Sequence, residues 1–506
     1  MCEASFFQSG ASPLEAIGPA TFVAVTLFRA IAMFAVALVV LPAGAQSLDR
    51  TFYPEELRED LELLRVTIHE AHADPYRYVP KEAIDQAFSR LSGSIRMTMP
   101  LRDFIDSVNV LLGMLGDGHT RCALPLDEAQ RMERTVPLLP LDVAIEDTLL
   151  YVHAERMGFR SVLPGSRIHS INGMPAGAIV RELLPLILVD GKAATARLRR
   201  LEREFAERFV ARYGVSTEYK LICENPHGVV EEVTLNALTQ EEMASAAVRQ
   251  QALLPWRSTW YEDRDLMWLE LHTLEPAHLE AADVRPERFL GDLLKELEKR
   301  KVGTLVIDVR GAKGSDLGMA EQVFALVAQE PFKVARRMTV RSVTLPTWYR
   351  RAVPLDDFYA SVHSTFTMAE AGAFVLPESD ERMKELPASH RRFDGRVFVL
   401  QDGATRESAA AISMLVKRHG RGKLMGEEGG TNAVSYCGGR ELRITAPRTG
   451  VRFVVPLIRY TFDGSPSGPS DHGELPDLPL KPAVQALQRG EDSVRNQALE
   501  LIGNMP

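Results

Sequence analysis

Cysteine is scarce in this chain. Four are spread over 506 residues, at positions 2, 122, 223 and 437, too few and too far apart for a disulfide-framed module or a thiolate zinc site. One bridge with one free thiol among Cys122, Cys223 and Cys437 stays open. A basic excess is also lacking: the net charge of −9 leaves no general cationic face for a nucleic acid. The twelve histidines are scattered. His69-Glu70-Ala71-His72 is one residue short of the HExxH zinc spacing, so its histidines do not share a ligand face and are read as structural. Gly426 to Gly430 lacks the Lys-Ser/Thr that a phosphate loop requires. No metal and no cofactor is therefore expected.

A long apolar run occurs only near the N-terminus. Arg29 precedes Ile31 to Val40, and Ala43-Gly44-Ala45 has the small-x-small form of a signal-peptidase site. Residues 1–45 are expected to be an export leader, its first 28 residues an unusual extension. The protein would then be periplasmic or secreted, with no stable membrane span after cleavage. The competing reading is an N-terminal anchor that reaches back to Ala20, which would put Arg29 near mid-membrane, where charge is costly.

A chain this long exceeds one simple core. Residues 48–125 read as a helical region: Leu57, Leu61 and Leu64 recur at helical spacing after Pro54, and residues 82–91 and 101–114 follow suit. The region ends in Leu115-Gly-Asp-Gly-His-Thr120, a glycine-flanked loop able to aim the His119 imidazole into a cleft as a general base. Residues 135–240 read as short strands with a charged helix, Arg197 to Tyr213. Their Gly165 to Gly173 segment is similar to the core of a PDZ domain, which takes peptide ends by strand addition.

Residues 250–485 read as an α/β core, with 486–506 a terminal helix or tail. Lys301 to Arg310 is a near-continuous apolar run of the kind a strand buried on both faces shows. It is followed by Gly311-Ala-Lys-Gly-Ser315 and a helix from Leu317. The same strand, turn and helix recur from Arg396, with the helix opening near Ser408. A serine there is a plausible nucleophile, because first-turn N–H groups are unpaired and the helix dipole favours negative charge.

Taken in order, these landmarks resemble the tail-specific, or carboxy-terminal processing, serine peptidase family. That family includes the tricorn core and the repeats of interphotoreceptor retinoid-binding protein. The matching stretches are Gly116 to Thr120, the PDZ-like Gly165 to Gly173, Asp308 to Ser315, Thr405 to Ala410 and Gly426 to Gly430. The resemblance implies a ClpP/crotonase-like α/β core joined to the helical region and a PDZ-like, β-rich domain. It further implies hydrolysis of peptide or protein substrates, with Ser408 as nucleophile, His119 as base, Asp471 as orienting carboxylate, and the N–H groups of Gly314 and Ala409 as oxyanion hole. Three departures stand out. Twenty-five residues after Ser408, where lysine-dependent members keep their base, stands Ala433. Counting back from Gly426 puts the nucleophile position on Glu407 instead of Ser408. Ala312 and Ser315 replace the family's Asn and second Gly. The alternative is a catalytically silent homologue that binds peptides or apolar ligands in the same cleft.

Overall fold

The computed structural model describes residues 48–156, 161–249, 254–344, 357–369 and 372–505. The expected leader and its Ala43 to Ala45 motif lie outside them. Three helices open the described chain: α1 (Pro54–Ala71), α2 (Lys81–Ser94) and α3 (Leu101–Leu112). In α1 the leucine spacing delivers one buried stripe, Leu57, Leu61, Leu64 and Ile68. Its N-terminus is closed by Glu56, whose carboxylate accepts from the Tyr53 N–H at 2.8 Å. After α3 the backbone turns left-handed at Gly116 (φ 59°), which frees the next four residues from the helix. They lead into β1 (Arg121–Ala123).

The middle segment contains β2 (Leu141–Glu146), β3 (Leu149–Glu155) and β4 (Arg167–Ile171). It continues with α4 (Ala176–Leu183), α5 (Ala194–Tyr213), β5 (Glu218–Glu224) and β6 (Val230–Asn236). The five strands pair antiparallel in chain order, and Leu201, Phe205 and Phe209 of α5 are buried in the same core.

Next come β7 (Trp256–Tyr261), β8 (Leu266–Leu271), α6 (Pro286–Arg300), β9 (Thr304–Asp308), α7 (Leu317–Ala325) and β10 (Ala335–Val340). Further along are β11 (Arg396–Gln401), α8 (Ser408–Arg418), β12 (Lys423–Gly426), β13 (Ser435–Thr445), β14 (Arg452–Phe462), β15 (Leu478–Pro479) and α9 (Ser493–Gly503). The central sheet runs β7-β8-β9-β11-β12-β15, parallel from β8 onward. Both its faces are covered, which explains the near-continuous apolar run at 301–310. Leu305 and Ile307 pack with leucines of α6 and with α8, while Val306 packs with Trp268 and with Val494 and Ala498 of α9. The fold is α/β, as expected. Because Asp308 is in register with Leu400, the turns after β9 and β11 emerge side by side at the carboxyl edge, where open parallel sheets gather their ligand loops.

A second sheet completes the frame: β10 pairs with β14, and β14 with β13, all antiparallel. The short β1 joins β14, with Arg121 opposite Val454. This pairing carries the 117–120 loop of the helical region to the edge of the central sheet. Among the described residues, no helix is long and apolar enough to cross a membrane.

Candidate active site

The turn after β11 is stitched to the turn after β9. The Asp402 carboxylate accepts from the Gly311 and Ala404 N–H groups at 2.8 and 3.0 Å. The Thr405 hydroxyl donates to the Val309 carbonyl at 2.9 Å, and the Arg406 N–H to that of Ala312 at 2.9 Å. The chain then makes an elbow at Glu407, with φ 55° and ψ −123°. An L-residue in such a conformation costs about 1–3 kcal/mol. Offsetting contacts are present: the Glu407 N–H donates to the buried Thr431 hydroxyl at 2.7 Å, and its carboxylate meets His119. Behind the elbow α8 starts at once, with Ser408 to Val416 all buried.

One residue separates the expected geometry from the observed one. His119 Nε2 lies 3.2 Å from Glu407 Oε1, and the two side chains are 13% and 14% exposed. Ser408 is fully buried. Its hydroxyl donates to the Gly314 carbonyl at 2.9 Å, and its N–H donates to the same oxygen at 3.2 Å. A step of one residue turns a helix by about 100°, so Glu407 and Ser408 cannot both face the cleft. The structure seats Glu407 at the position counted back from Gly426. That glycine (φ 106°) could hold no side chain, since a Cβ would lie 2.1 Å from the Gln401 carbonyl oxygen.

Of the two expected oxyanion donors, the Ala409 N–H is engaged, donating to the Arg406 carbonyl at 3.1 Å, while Gly314 turns its carbonyl to the elbow. Asp471 is bound to Lys192 at 2.6 Å, with no hydrogen bond or ion pair to His119 or Ser408. The carboxylates beside the imidazole are instead Asp117 and Asp190, whose Oδ1 atoms stand 3.6 and 3.9 Å from His119 Nδ1. Both are buried. Asp117 accepts from the His119 N–H at 3.0 Å, from the Thr120 N–H at 3.1 Å and from the Thr120 hydroxyl, which makes it the structuring residue of its loop. It also binds fully buried His72 Nε2 at 2.9 Å. Asp190 accepts from the Gly118 N–H at 2.8 Å.

These charges fix the protonation states. Burial opposes a charged imidazole, but Asp117, Glu407 and Asp190 outweigh it, and His119 is pushed up to about 10. Burial likewise opposes the Glu407 carboxylate; the His119 contact, with Arg406 and Lys313 nearby, outweighs it and holds Glu407 below the usual range. The pair is thus carboxylate and imidazolium at neutral pH. Asp117, His119 and Asp190 also bring ligand atoms within 4.8 Å of one another. With the Asp117 and Asp190 carboxylates already accepting the bonds above, and the imidazole cationic, this cluster suits a cradle for imidazolium better than a cation site.

Residues 278–476 match the model of peptidase family S41. Over this stretch the α/β core is similar to peptidase family S41. Two solved structures share the fold over most of both chains. Mature CPAF complexed with lactacystin is 11% identical, covering 89% of this chain and 98% of its own at a TM-score of 0.60. Mature CPAF is 13% identical, covering 89% and 96% at 0.58. No curated protein matches the sequence. His72, Asp190 and Thr431 were not anticipated as site residues. Asp190 offered one faint signal, an acidic residue between the apolar Leu186 to Val189 run and Gly191.

Proposed function

We propose that the cleft at Glu407 and His119 binds extended peptide or protein chains, and that Ser408 is not the group its imidazole serves. One observation carries this reading: His119 Nε2 faces Glu407 Oε1 at 3.2 Å while the Ser408 hydroxyl is spent on the Gly314 carbonyl. The S41-like core supports a peptide ligand. The apolar run before Ala43 to Ala45 supports export, which would make that ligand an exported or extracellular chain. Residues 135–240, PDZ-like in sequence, would guide chain ends to the cleft; Arg199 of α5 already grips Glu427 beside it with bonds of 2.8 and 2.9 Å.

The second reading is a serine peptidase acting through Ser408, His119 and Asp471, with Gly314 and Ala409 as oxyanion hole. The similarity of residues 278–476 to peptidase family S41 favours it. It requires the Ser408 hydroxyl to leave Gly314 and Asp471 to leave Lys192. A fluorophosphonate probe separates the two readings. No labelling, together with saturable anisotropy binding of a fluorescent, reduced and carboxymethylated casein fragment, is the expected result. Labelling that disappears in both Ser408→Ala and His119→Ala would establish the serine peptidase instead.

A further inference from the structure

The elbow of this fold presents a carboxylate beside an imidazole, and that pair supports a chemistry the serine arrangement does not. We propose that Glu407 is a general base and His119 the oxyanion donor for direct attack of water on a peptide bond, a hydrolysis without a serine nucleophile or an acyl-enzyme. The inference rests on the peptide-binding reading above and adds a reaction to it.

Three features of the geometry point this way. First, Glu407 occupies the partly buried apex of the strand–turn–helix elbow, with Oε1 on His119. That leaves Oε2 to hold a water molecule against a carbonyl laid across the pair. Second, the expected backbone pair is incomplete as an oxyanion hole, because the Ala409 N–H is committed to the Arg406 carbonyl. A negative charge developing there gains a side-chain donor in His119 Nε2–H, which the oxyanion would share with Glu407 Oε1. Third, the surroundings keep both groups in the required charge state. Asp117 on the 117–120 loop and Asp190 ahead of α5 face His119. Arg406 on the elbow and Lys313 after β9 act on Glu407, and the Tyr436 ring of β13 packs on the imidazole at 5.8 Å. The Arg406 guanidinium has no hydrogen-bond or ion-pair partner among the described residues and acts on Glu407 through space.

The step balances. A water proton passes to Glu407 Oε2 as the water oxygen bonds to the scissile carbonyl carbon. The C=O electron pair moves onto oxygen, which accepts a hydrogen bond from His119 Nε2–H. Collapse re-forms the C=O bond and breaks the C–N bond, and the leaving nitrogen takes the proton from Glu407. A peptide and a water become an acid and an amine, with both side chains as they began.

The test uses the full chain, an internally quenched casein-derived peptide for turnover, and the same peptide with one fluorophore for anisotropy binding. Turnover is expected to persist after fluorophosphonate treatment. It should be flat across neutral pH and fall on the alkaline side as His119 loses its proton near 10. A serine–histidine mechanism needs neutral His119, so its rate would rise over that range. Glu407→Gln is expected to lose at least about a hundredfold in turnover with peptide binding retained, and Glu407→Asp to recover part of the loss. Retained binding also shows that the variant is folded. Binding without turnover by the wild type overturns this inference and leaves the peptide-binding reading standing; absence of binding overturns both. Turnover that survives Glu407→Gln, or that rises through alkaline pH, also overturns it.

Discussion

Neutralising Glu407 should move the titration of an imidazole contributed by a different part of the chain. In the wild type His119 is held up to about 10, because Asp117, Glu407 and Asp190 together outweigh burial. At the observed 3.2 Å, bare Coulomb attraction with an effective dielectric of about 20 gives about 5 kcal/mol. That is an upper bound, since both side chains touch solvent. A hydrogen bond to a charged group is worth about 1.5–3 kcal/mol net, and a pKa unit about 1.4 kcal/mol. Glu407→Gln should therefore lower the His119 midpoint by about 1–2 units, to a value still above 6.5 because Asp117 and Asp190 remain. The assay is a pH titration of imidazole resonances in histidine-labelled protein, with His119→Gln identifying the signal. A midpoint that stays put, or rises, would refute the assignment of Glu407 as a partner of His119.

Other consequences can be measured by denaturant unfolding. A histidine whose folded pKa is raised adds stability that is complete below its unfolded value, 6.5, and is lost as pH rises through about 10. The stability gap between wild type and His119→Gln should accordingly shrink across that interval. Asp117 is held well below the usual carboxylate range: burial works against the charge but is outweighed by hydrogen bonds from His119 and His72. Its contribution should be full above pH 3.8 and fall as acid protonates it, so the gap to Asp117→Asn should close only in strong acid. Thr431→Val strands the Glu407 N–H in a strained turn, and a loss of about 1–3 kcal/mol is expected; an unchanged midpoint would show that water replaces the hydroxyl. Asp60 of α1 is fully buried and ties the helix to the 448–449 turn through the Thr449 N–H and hydroxyl at 2.8 and 2.7 Å. Asp60→Ala should cost about 2–3 kcal/mol, and a loss under about 0.5 kcal/mol would show the tie to be idle.

The framework was readable because its signals are periodic. Leucine spacing marked α1, and a near-continuous apolar run marked β9. His119 was readable because glycines isolate it in a loop. The elbow was readable only to within one residue, since two counts gave adjacent positions and periodicity cannot say which side chain faces a cleft. Asp190 was hidden: it reaches the imidazole through tertiary packing of the segment before α5 and carries no motif of its own. Asp471 illustrates the converse, a carboxylate in suggestive company near His472 whose charge is taken up by Lys192.

The pairing of β1 with β14 has a consequence in time. Arg121 finds its strand partner about 330 residues later, opposite Val454, and His119 meets a carboxylate 288 residues downstream. At a synthesis rate of about 5–20 residues per second, the loop that bears the imidazole waits roughly 20–70 s for the strand that fixes it. Such long-range closure slows folding. It also means that a nascent chain stopped before Glu407 carries one half of the pair without the other, so that assembly of the cleft is itself a check that translation has passed the β14 strand.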